Sequence, residues 1–303
     1  MDELSGCSLF IGHKAILTLG IFTASVCAAF ILTHCEIFGL TLAAPSKGAD
    51  ANQSPADANY KSKKERGSSE DNKVGRPDHN HPAFAERAEE RTRMVTRYIE
   101  AEGIRDPNVL RAMRTVPRHA FVLSGDLRRA YADHPLAIGL NQTISQPYIV
   151  AYMTEALQLK PDSNVLEVGT GSGYQAAVCA EVAREVYTVE ILEPLAESAK
   201  NRLKELGYGN VTVRAGDGYF GWKAKAPFDA IIVTAAAGLV PPPLVEQLKP
   251  GGRMILPLGS PYSVQTLVMI TKDQNGRVSS RNLLPVRFVP MLGRITDADK
   301  PRQ

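Results

Sequence analysis

The sequence predicts an α/β fold with a doubly wound, mostly parallel sheet and a C-terminal β-hairpin. Between residues 164 and 258, β-branched apolar runs alternate with segments of helical composition. Beyond them, two runs of alternating apolar and polar residues flank Asn275-Gly276, a dipeptide typical of tight hairpin turns. Because ligands of such sheets bind beyond the carboxyl ends of the strands, we expect the functional site at that edge.

The first predicted strand passes directly into a glycine-rich turn. Residues 164–174 are Asn-Val-Leu-Glu-Val-Gly-Thr-Gly-Ser-Gly-Tyr, and a helix is expected over 175–186. Glycine suits a turn where a ligand lies against bare backbone or where φ is positive. The N-terminus of the following helix adds free N–H groups and the positive end of its dipole. A glycine-rich turn alone is equally typical of a plain tight turn, so the spacing must be considered.

The spacing of the glycines distinguishes two kinds of nucleotide loop. Gly169, Gly171 and Gly173 give G-x-G-x-G, whereas the dinucleotide fingerprint is G-x-G-x-x-G and would place its third glycine at Tyr174. With Glu167 ahead of them, the glycines resemble the loop of class I S-adenosyl-L-methionine (AdoMet) methyltransferases. This resemblance implies a Rossmann-like domain with AdoMet as its cofactor.

Polar residues follow three further predicted strands. Glu190 ends the second strand, 17 residues past Gly173, where a carboxylate commonly binds a nucleotide ribose. The alternative for Glu190 is a solvated strand-end carboxylate. Asp217 and Gly218 follow the third strand, and the acid at this place faces adenine in AdoMet enzymes. We expect four residues at strand ends to converge on one site: Gly169, Glu190, Asp217 and Thr234.

A polar loop precedes the glycine-loop strand. Residues 141–147 are Asn-Gln-Thr-Ile-Ser-Gln-Pro, followed by a helix expected over 148–157. A polar segment just ahead of a cofactor strand is well placed to cover a ligand. Ser145 has another interpretation, which composition alone favours: it caps the helix that follows by accepting a hydrogen bond from a free N–H group.

From residue 87 to residue 294 the chain closely resembles the protein-L-isoaspartate O-methyltransferase family. Thr-Ile-Ser-Gln-Pro at 143–147 and Arg-Phe-Val-Pro at 287–290 are much more specific to that family than the glycine loop. The resemblance implies that Ser145 lines the active site rather than capping a helix. The segments that carry the resemblance are 143–147, 165–174, 216–218, 226–235 and 286–290.

The resemblance also implies an activity and a set of site residues. The family transfers the AdoMet methyl group to the free carboxylate of L-isoaspartyl residues in damaged proteins, and the ester collapses to a succinimide. A carboxylate with a pKa of about 4 is already ionised at neutral pH, so no general base or metal is needed. Ser145 is the expected catalytic residue. The expected substrate-binding residues are Thr143, Ile144, Gln146, Val289 and Pro290. The expected cofactor-binding residues are Glu167, Gly169, Thr170, Gly171, Ser172, Gly173, Glu190, Asp217 and Gly218.

The N-terminal residues have no counterpart in the family. Residues 15–33 form a run of nineteen without a formal charge, about the minimum that spans a bilayer. Three interpretations of this run stay open: a membrane anchor, a signal peptide cleaved near 42–44, and a start assigned too far upstream. We divide the chain into a hydrophobic segment, 1–42, a disordered linker, 43–83, too polar to offset its ordering entropy, and a methyltransferase domain, 84–303.

Composition limits the partners of the protein. The formal net charge of +3 is too small to indicate a nucleic-acid protein, and the four cysteines show no C-x-x-C spacing. The expected partners are isoaspartyl-containing proteins and peptides, and a monomer is the default expectation. Because AdoMet is a cytosolic metabolite, the catalytic domain is expected in the cytoplasm, with secretion after signal cleavage left open.

Two other functions remain open at this point. One is an AdoMet-dependent methyltransferase for another oxygen acceptor. Thr-Ala-Ala-Ala at 234–237 replaces the N/D-P-P-Y/F typical of nitrogen methylation, which argues against a nitrogen acceptor. The other is a membrane-tethered AdoMet-binding module without turnover.

Overall fold

The computed structural model of the chain describes residue 75 and residues 77–294. The segment before the main sheet contains α1 (Ala88–Val95), α2 (Pro107–Thr115), the strands β1 (Leu136–Gly139) and β2 (Gln142–Ile144), and α3 (Pro147–Leu157). The main sheet is built from β3 (Asn164–Val168), β4 (Glu185–Glu190), β5 (Val211–Ala215), β6 (Phe228–Val233), β7 (Leu248–Leu258), β8 (Gln265–Lys272) and β9 (Val278–Val286). The helices between these strands are α4 (Tyr174–Ala180), α5 (Glu193–Glu205) and α6 (Pro242–Gln247).

The main sheet has seven strands in the order β5-β4-β3-β6-β7-β8-β9. β3 to β7 pair in parallel, whereas β8 is antiparallel to β7 and β9 is antiparallel to β8. The predicted fold class, a mostly parallel α/β sheet with a C-terminal hairpin, is therefore confirmed. β3 lies where the strand order changes direction, which is where ligands bind in sheets of this kind.

The register of the central strands brings their carboxyl ends level. Val168 on β3 pairs with Val189 on β4 and with Val233 on β6. The next residue of each strand is a predicted site residue, and these three lie side by side at one edge: Gly169, Glu190 and Thr234. The predicted convergence of strand ends is confirmed for them.

Two predicted helix bounds differ from the structure. The amphipathic pattern of residues 84–103 predicts one helix ended by Gly103. The structure interrupts it: a 3-10 turn (Pro82–Phe84) precedes α1, and a π-helical turn (Thr96–Glu100) follows it. The helix expected over 175–186 ends at Ala180, six residues early. Its last carbonyl is satisfied from outside the helix, because the Asn210 side-chain amide donates a hydrogen bond to Ala180 O at 2.9 Å. A distant residue therefore caps the end of α4.

Much of the polar loop expected over 141–147 is a β-hairpin. β1 and β2 pair antiparallel, with Leu136 opposite Ile144. The two turn residues, Leu140 and Asn141, have φ values of +50° and +58°. Positive φ at both central positions belongs to the tight turn that matches the twist of two strands. Leucine is rare in that conformation, so the sequence carried no signal for the turn.

The final residues assigned to the linker already contact the folded domain. His79 Nε2 lies 2.6 Å from the Glu181 carboxylate, and the His79 ring packs tilted against Phe84. Asp78 also approaches Gly207 so closely that a Cβ there would lie 2.2 Å from its carboxylate oxygen. The predicted boundary at residue 83 is therefore too late. Residues 77–83 belong with the folded domain, because polar side chains among them contact it. The rest of the predicted linker, and the hydrophobic run 15–33, lie outside the described residues.

None of the helices formed by residues 77–294 combines the length and the apolar composition needed to cross a bilayer.

Candidate active site

A cleft opens at the carboxyl ends of β3, β4 and β6. Together with the open solvent at its mouth, it encloses about 770 Å³ of space. Its lining combines the glycine loop, the end of β4, the segment around β2 and the segment after β9. The predicted site residues that line it are Thr143, Ile144, Ser145, Glu167, Gly169, Thr170, Gly171, Ser172, Glu190, Gly218, Val289 and Pro290.

The glycine loop has the backbone conformation that its composition predicts. Gly169, Gly171 and Gly173 have φ values of +100°, +53° and +91°. At Gly169 a Cβ would lie 2.5 Å from Thr234 Oγ1, so no larger residue fits. Gly173 has a different reason to be glycine: a Cβ there would lie 3.1 Å from Leu203 on α5, and Gly173 does not line the cleft. The first glycine therefore shapes the loop against β6, and the third allows close packing of helices.

Glu190 is buried and holds two backbone N–H groups. Its Oε2 accepts a hydrogen bond from Gly171 N at 2.8 Å, and its Oε1 accepts one from Leu192 N at 3.0 Å. The carboxylate thereby joins the glycine loop to the segment that leads into α5. Each carboxylate oxygen has a second lone pair, so a ribose hydroxyl can still be bound. Ribose binding by Glu190 stays a prediction.

Glu167 is fully buried below the glycine loop. Its Oε2 accepts a hydrogen bond from the Thr188 hydroxyl, and Thr188 Oγ1 in turn lies 2.6 Å from Thr170 Oγ1. Within the described part of the chain, Oε1 has no hydrogen-bond partner. Burial, with a smaller contribution from the charge of Glu190, raises the pKa of Glu167 to about 8, although the Thr188 hydrogen bond acts in the opposite direction. A buried acceptor without a partner is unfavourable, so a cationic donor of a bound ligand would be stabilised here.

Asp217 is the one predicted strand-end residue that does not line the cleft. Its Oδ1 accepts a hydrogen bond from Tyr219 N at 2.8 Å, and its Oδ2 accepts one from Arg294 N at 3.0 Å. The C-terminal segment packs directly on it, since a Cβ at Gly293 would lie 2.6 Å from the carboxylate. Asp217 still follows the carboxyl end of β5, next to Gly218, which lines the cleft, but its carboxylate is bound by backbone N–H groups. Contact between Asp217 and adenine stays a prediction.

A second cavity adjoins the cleft. It is lined on one side by Gln146 and Ile149 and on the other by the segment 285–289. The walls that both cavities share are Thr143, Ser145, Thr234 and Val289. Two ligands, one in each cavity, would therefore meet at these residues.

The segment after β9 is held in place by backbone hydrogen bonds. Ala236 N donates to Val289 O, and Met291 N donates to Ala236 O, each at 2.8 Å. Gln265 adds a third restraint by accepting a hydrogen bond from Phe288 N at 2.9 Å. These bonds fix Val289 and Pro290 beside the end of β6. The two residues are thus built into the wall of the site.

Ser145 does not cap α3. The residue before the helix is Gln146, and it makes no side-chain capping bond. The Tyr148 N–H group is instead bonded at 3.1 Å to Oδ1 of Asp133, a residue that the sequence reasoning missed. Among the described residues no hydrogen bond involves the Ser145 side chain. Its hydroxyl therefore remains available where the two cavities meet.

Arg202 is another residue that the sequence did not single out. It lies on α5, and its Nη1 donates a hydrogen bond to Ser172 O in the glycine loop at 2.9 Å. The two residues are 30 positions apart, and an arginine on an amphipathic helix is usually solvated. No spacing rule could have found this contact.

The family model for protein-L-isoaspartate(D-aspartate) O-methyltransferase matches residues 89–296. The chain belongs to this family. The resemblance inferred from the loop 143–147 and the segment 287–290 is thereby confirmed.

Individual relatives agree with the family assignment. Protein-L-isoaspartate O-methyltransferase 2 of Syntrophobacter fumaroxidans is 61% identical over 188 residues, covering 62% of this chain and 76% of the relative. Protein-L-isoaspartate O-methyltransferase 2 of a Polaromonas species is 56% identical over 207 residues, covering 68% of this chain and 98% of the relative. A Plasmodium falciparum protein assigned to the same activity was solved with S-adenosyl-L-homocysteine. Its structure matches with a TM-score of 0.58 and 26% identity, covering 67% of this chain and 98% of that one.

Proposed function

We propose that this chain is a repair methyltransferase, which moves the methyl group of AdoMet to the free carboxylate of L-isoaspartyl residues in proteins and peptides. Family membership and 61% and 56% identity to two proteins named for this activity support the reaction. The observation that carries the proposal is the meeting of two cavities at Thr143 and Ser145. Methyl transfer needs such a junction, since donor and acceptor must touch.

The cleft suits AdoMet. The unpartnered Oε1 of Glu167 offers a buried acceptor for a cationic group of the cofactor, and the bare backbone of the glycine loop allows close approach. When bound, AdoMet supplies an electrophilic methyl group, which the acceptor carboxylate takes up as a methyl ester. The residues that we propose to hold the cofactor are Glu167, Gly169, Thr170, Gly171, Ser172, Gly173, Glu190, Asp217 and Gly218, with Gly173 acting through the packing of α4.

The second cavity suits the isoaspartyl residue. Its walls are mostly neutral, and Arg287 is the one charged residue among those that the described chain contributes. We assign substrate contacts to Thr143, Ile144, Gln146, Val289 and Pro290. Thr143, Gln146 and Val289 line this cavity, and Ile144 and Pro290 line the adjoining cofactor cleft, so that together they would exclude water from the junction.

Ser145 orients the acceptor by donating its hydroxyl hydrogen bond to one carboxylate oxygen. The carboxylate is ionised at neutral pH and needs no base, so the serine acts as a donor and not as a nucleophile. Catalysis then depends on position: holding two reacting groups in line can supply on the order of 7–11 kcal/mol. Ser145 and its neighbours contribute by setting the direction of the acceptor oxygen.

We also propose that the folded domain works in the cytoplasm, where AdoMet is made, and that residues 15–33 tether it to a membrane through the linker that precedes residue 77. The apolar composition of 15–33 supports this arrangement. Fractionation of the full chain with a C-terminal tag, followed by protease treatment of intact cells, tests it. A tag recovered outside the cytoplasm would contradict the proposal.

The activity is tested with AdoMet carrying a labelled methyl group. The acceptors are an isoaspartyl peptide and its normal aspartyl counterpart of the same sequence. We expect label to appear on the isoaspartyl peptide only, as a base-labile ester. Transfer to both peptides would indicate another oxygen acceptor, and transfer to neither would indicate an AdoMet-binding module without turnover.

A further inference from the structure

Asp133 makes two hydrogen bonds to the residues that flank the Ser145 loop. Its Oδ2 accepts from Gln146 Nε2 at 2.7 Å, and its Oδ1 accepts from Tyr148 N at 3.1 Å. Gln146 directly follows Ser145, and Tyr148 is the second residue of α3. One half-buried carboxylate thus holds the residue just after the serine and the helix that follows it.

The N-terminus of α3 depends on this carboxylate. Pro147, its first residue, has no N–H group, and Gln146 provides no side-chain cap. A carboxylate near a helix N-terminus satisfies a free N–H group and interacts favourably with the helix dipole. Asp133 does this from a separate segment, 15 residues earlier than Tyr148. Ser145, the local residue with a capping side chain, is thereby released from the capping role.

The segment that carries Asp133 is held from below by Arg118. This arginine is fully buried, and its Nε donates a hydrogen bond to Ala130 O at 2.9 Å. Its guanidinium lies over the ring of Tyr174, 4.9 Å from the centroid, and Tyr174 lines the cofactor cleft. Burial lowers the pKa of Arg118, and attraction to Tyr174 and to the Asp133 carboxylate opposes that effect. The position of Asp133 is therefore tied to the core beneath the cofactor cleft.

We infer that Asp133 is a positioning residue for methyl transfer, which locks the Ser145 loop through Gln146 and the first turn of α3 so that the serine hydroxyl points into the junction of the two cavities. The inference rests on the proposed function. Asp133 lines neither the cofactor cleft nor the acceptor cavity, so it acts through the loop and not by touching a ligand.

The test is the substitution Asp133→Ala, with kcat and KM measured on the isoaspartyl peptide. We expect kcat to fall about tenfold to a hundredfold, because small misplacements of a reacting group reduce the rate on that scale. The Kd of AdoMet, measured by calorimetry, should stay within about twofold, since the glycine loop does not depend on Asp133. Asp133→Asn keeps an oxygen for the Tyr148 N–H group and should restore most of kcat. Asp162→Ala, at an exposed aspartate in the turn before β3, is the matched control.

A double-substitution cycle separates positioning from stability. If Asp133 acts through the serine, Asp133→Ala should lower kcat little further when Ser145→Ala is already present, since residues that act as a unit are not additive. If the double variant instead loses kcat by the product of the two single-variant losses, the inference is overturned. A lower Tm in Asp133→Ala with kcat unchanged would also overturn it. Should Asp133→Ala not fold, Asp133→Ser keeps a short polar side chain in the turn but cannot reach both donors, and is judged by the same criteria.

The inference and the proposed function can fail separately. Wild-type turnover on the isoaspartyl peptide together with an unchanged kcat in Asp133→Ala would overturn only the role of Asp133. Absence of turnover in the wild-type chain would overturn both, because there would be no methyl transfer for Asp133 to position.

Discussion

Thr234 Oγ1 donates a hydrogen bond to Gly169 O at 2.6 Å and thereby ties the end of β6 to the first residue of the glycine loop. Its oxygen also occupies the space that a Cβ on Gly169 would need. The loop and the threonine are therefore matched in shape as well as in hydrogen bonding. Substitutions at Gly169 should show how strongly the cofactor cleft depends on this contact.

Gly169→Ala should destabilise the domain and weaken AdoMet binding. The new Cβ would lie 2.5 Å from Thr234 Oγ1, and the backbone φ of +100° is unfavourable for alanine. We expect a loss of about 1–3 kcal/mol in the free energy of unfolding, measured by urea denaturation, and a Kd for AdoMet raised about tenfold or more. The control is Gly125→Ala, where no atom lies within 4 Å of the added Cβ. Equal stability of the two variants would contradict this account.

Glu167 should make the stability of the AdoMet-free protein depend on pH. Its pKa rises from 4.5 to about 8 on folding, so between these values the folded state holds a proton that the unfolded state has lost. Stability must then fall as pH rises through this window, by up to about 1.4 kcal/mol per pH unit from this group.

Glu167→Gln removes that contribution while keeping an oxygen for the Thr188 hydroxyl. Both proteins are denatured with urea at pH 5, 6, 7 and 8. The free energy of unfolding of the wild type should fall relative to that of Glu167→Gln as pH rises. A constant difference across the window would show that Glu167 is ionised in the folded protein. Calorimetry at pH 7 should also show weaker AdoMet binding in Glu167→Gln, since the amide cannot become an anion.

Ser145→Ala should lower kcat and leave AdoMet binding unchanged. Loss of an orienting hydrogen bond misplaces the acceptor oxygen, and a misplacement of about 1 Å can lower the rate about a hundredfold. The serine hydroxyl has no partner in the described chain to lose. Steady-state kinetics on the isoaspartyl peptide measure kcat and KM, and calorimetry measures the Kd of AdoMet. Ser280→Ala, at an exposed position of β9, is the control. A variant with full kcat and KM would remove Ser145 from the active site.

Asp217→Ala should weaken AdoMet binding. The carboxylate caps the turn Gly218–Phe220 through Tyr219 N and also holds Arg294 N. Its loss should release the C-terminal segment beside the cleft, whether or not the carboxylate touches adenine. We expect a Kd raised about threefold to thirtyfold. Asp217→Asn keeps one of the two acceptor oxygens, so its Kd should lie between those of the wild type and Asp217→Ala. An unchanged Kd in Asp217→Ala would take this residue out of the cofactor site.

Elements whose stabilising contacts are local were predicted closely. β4 is found at Glu185–Glu190 as expected, because an apolar β-branched run marks a buried strand in any context. Asp106-Pro107 likewise predicts a helix start, with proline at the first helical position, and α2 begins at Pro107 behind the Asp106 carboxylate, which accepts from Asn108 N at 2.8 Å. Such signals lie within a few residues of the structure that they specify.

Elements that depend on distant residues were predicted less well. α4 ends at Ala180, and Asn210, 30 positions away, satisfies its last carbonyl. The sequence predicts a loop where the hairpin β1–β2 forms, because the hairpin turn places a leucine at positive φ. Both misses concern residues whose conformation is set by contacts outside their own segment.

The sequence by itself determined the parallel sheet, the G-x-G-x-G turn and the family, because glycine spacing and apolar runs act locally on the backbone. Only the tertiary structure decided how the carboxylates are used. Glu190 holds backbone N–H groups, Asp217 is taken up by the C-terminal segment, and Asp133 caps α3 in place of Ser145. A carboxylate binds whichever donors the fold brings within reach, and those donors lie too far along the chain for spacing to reveal them.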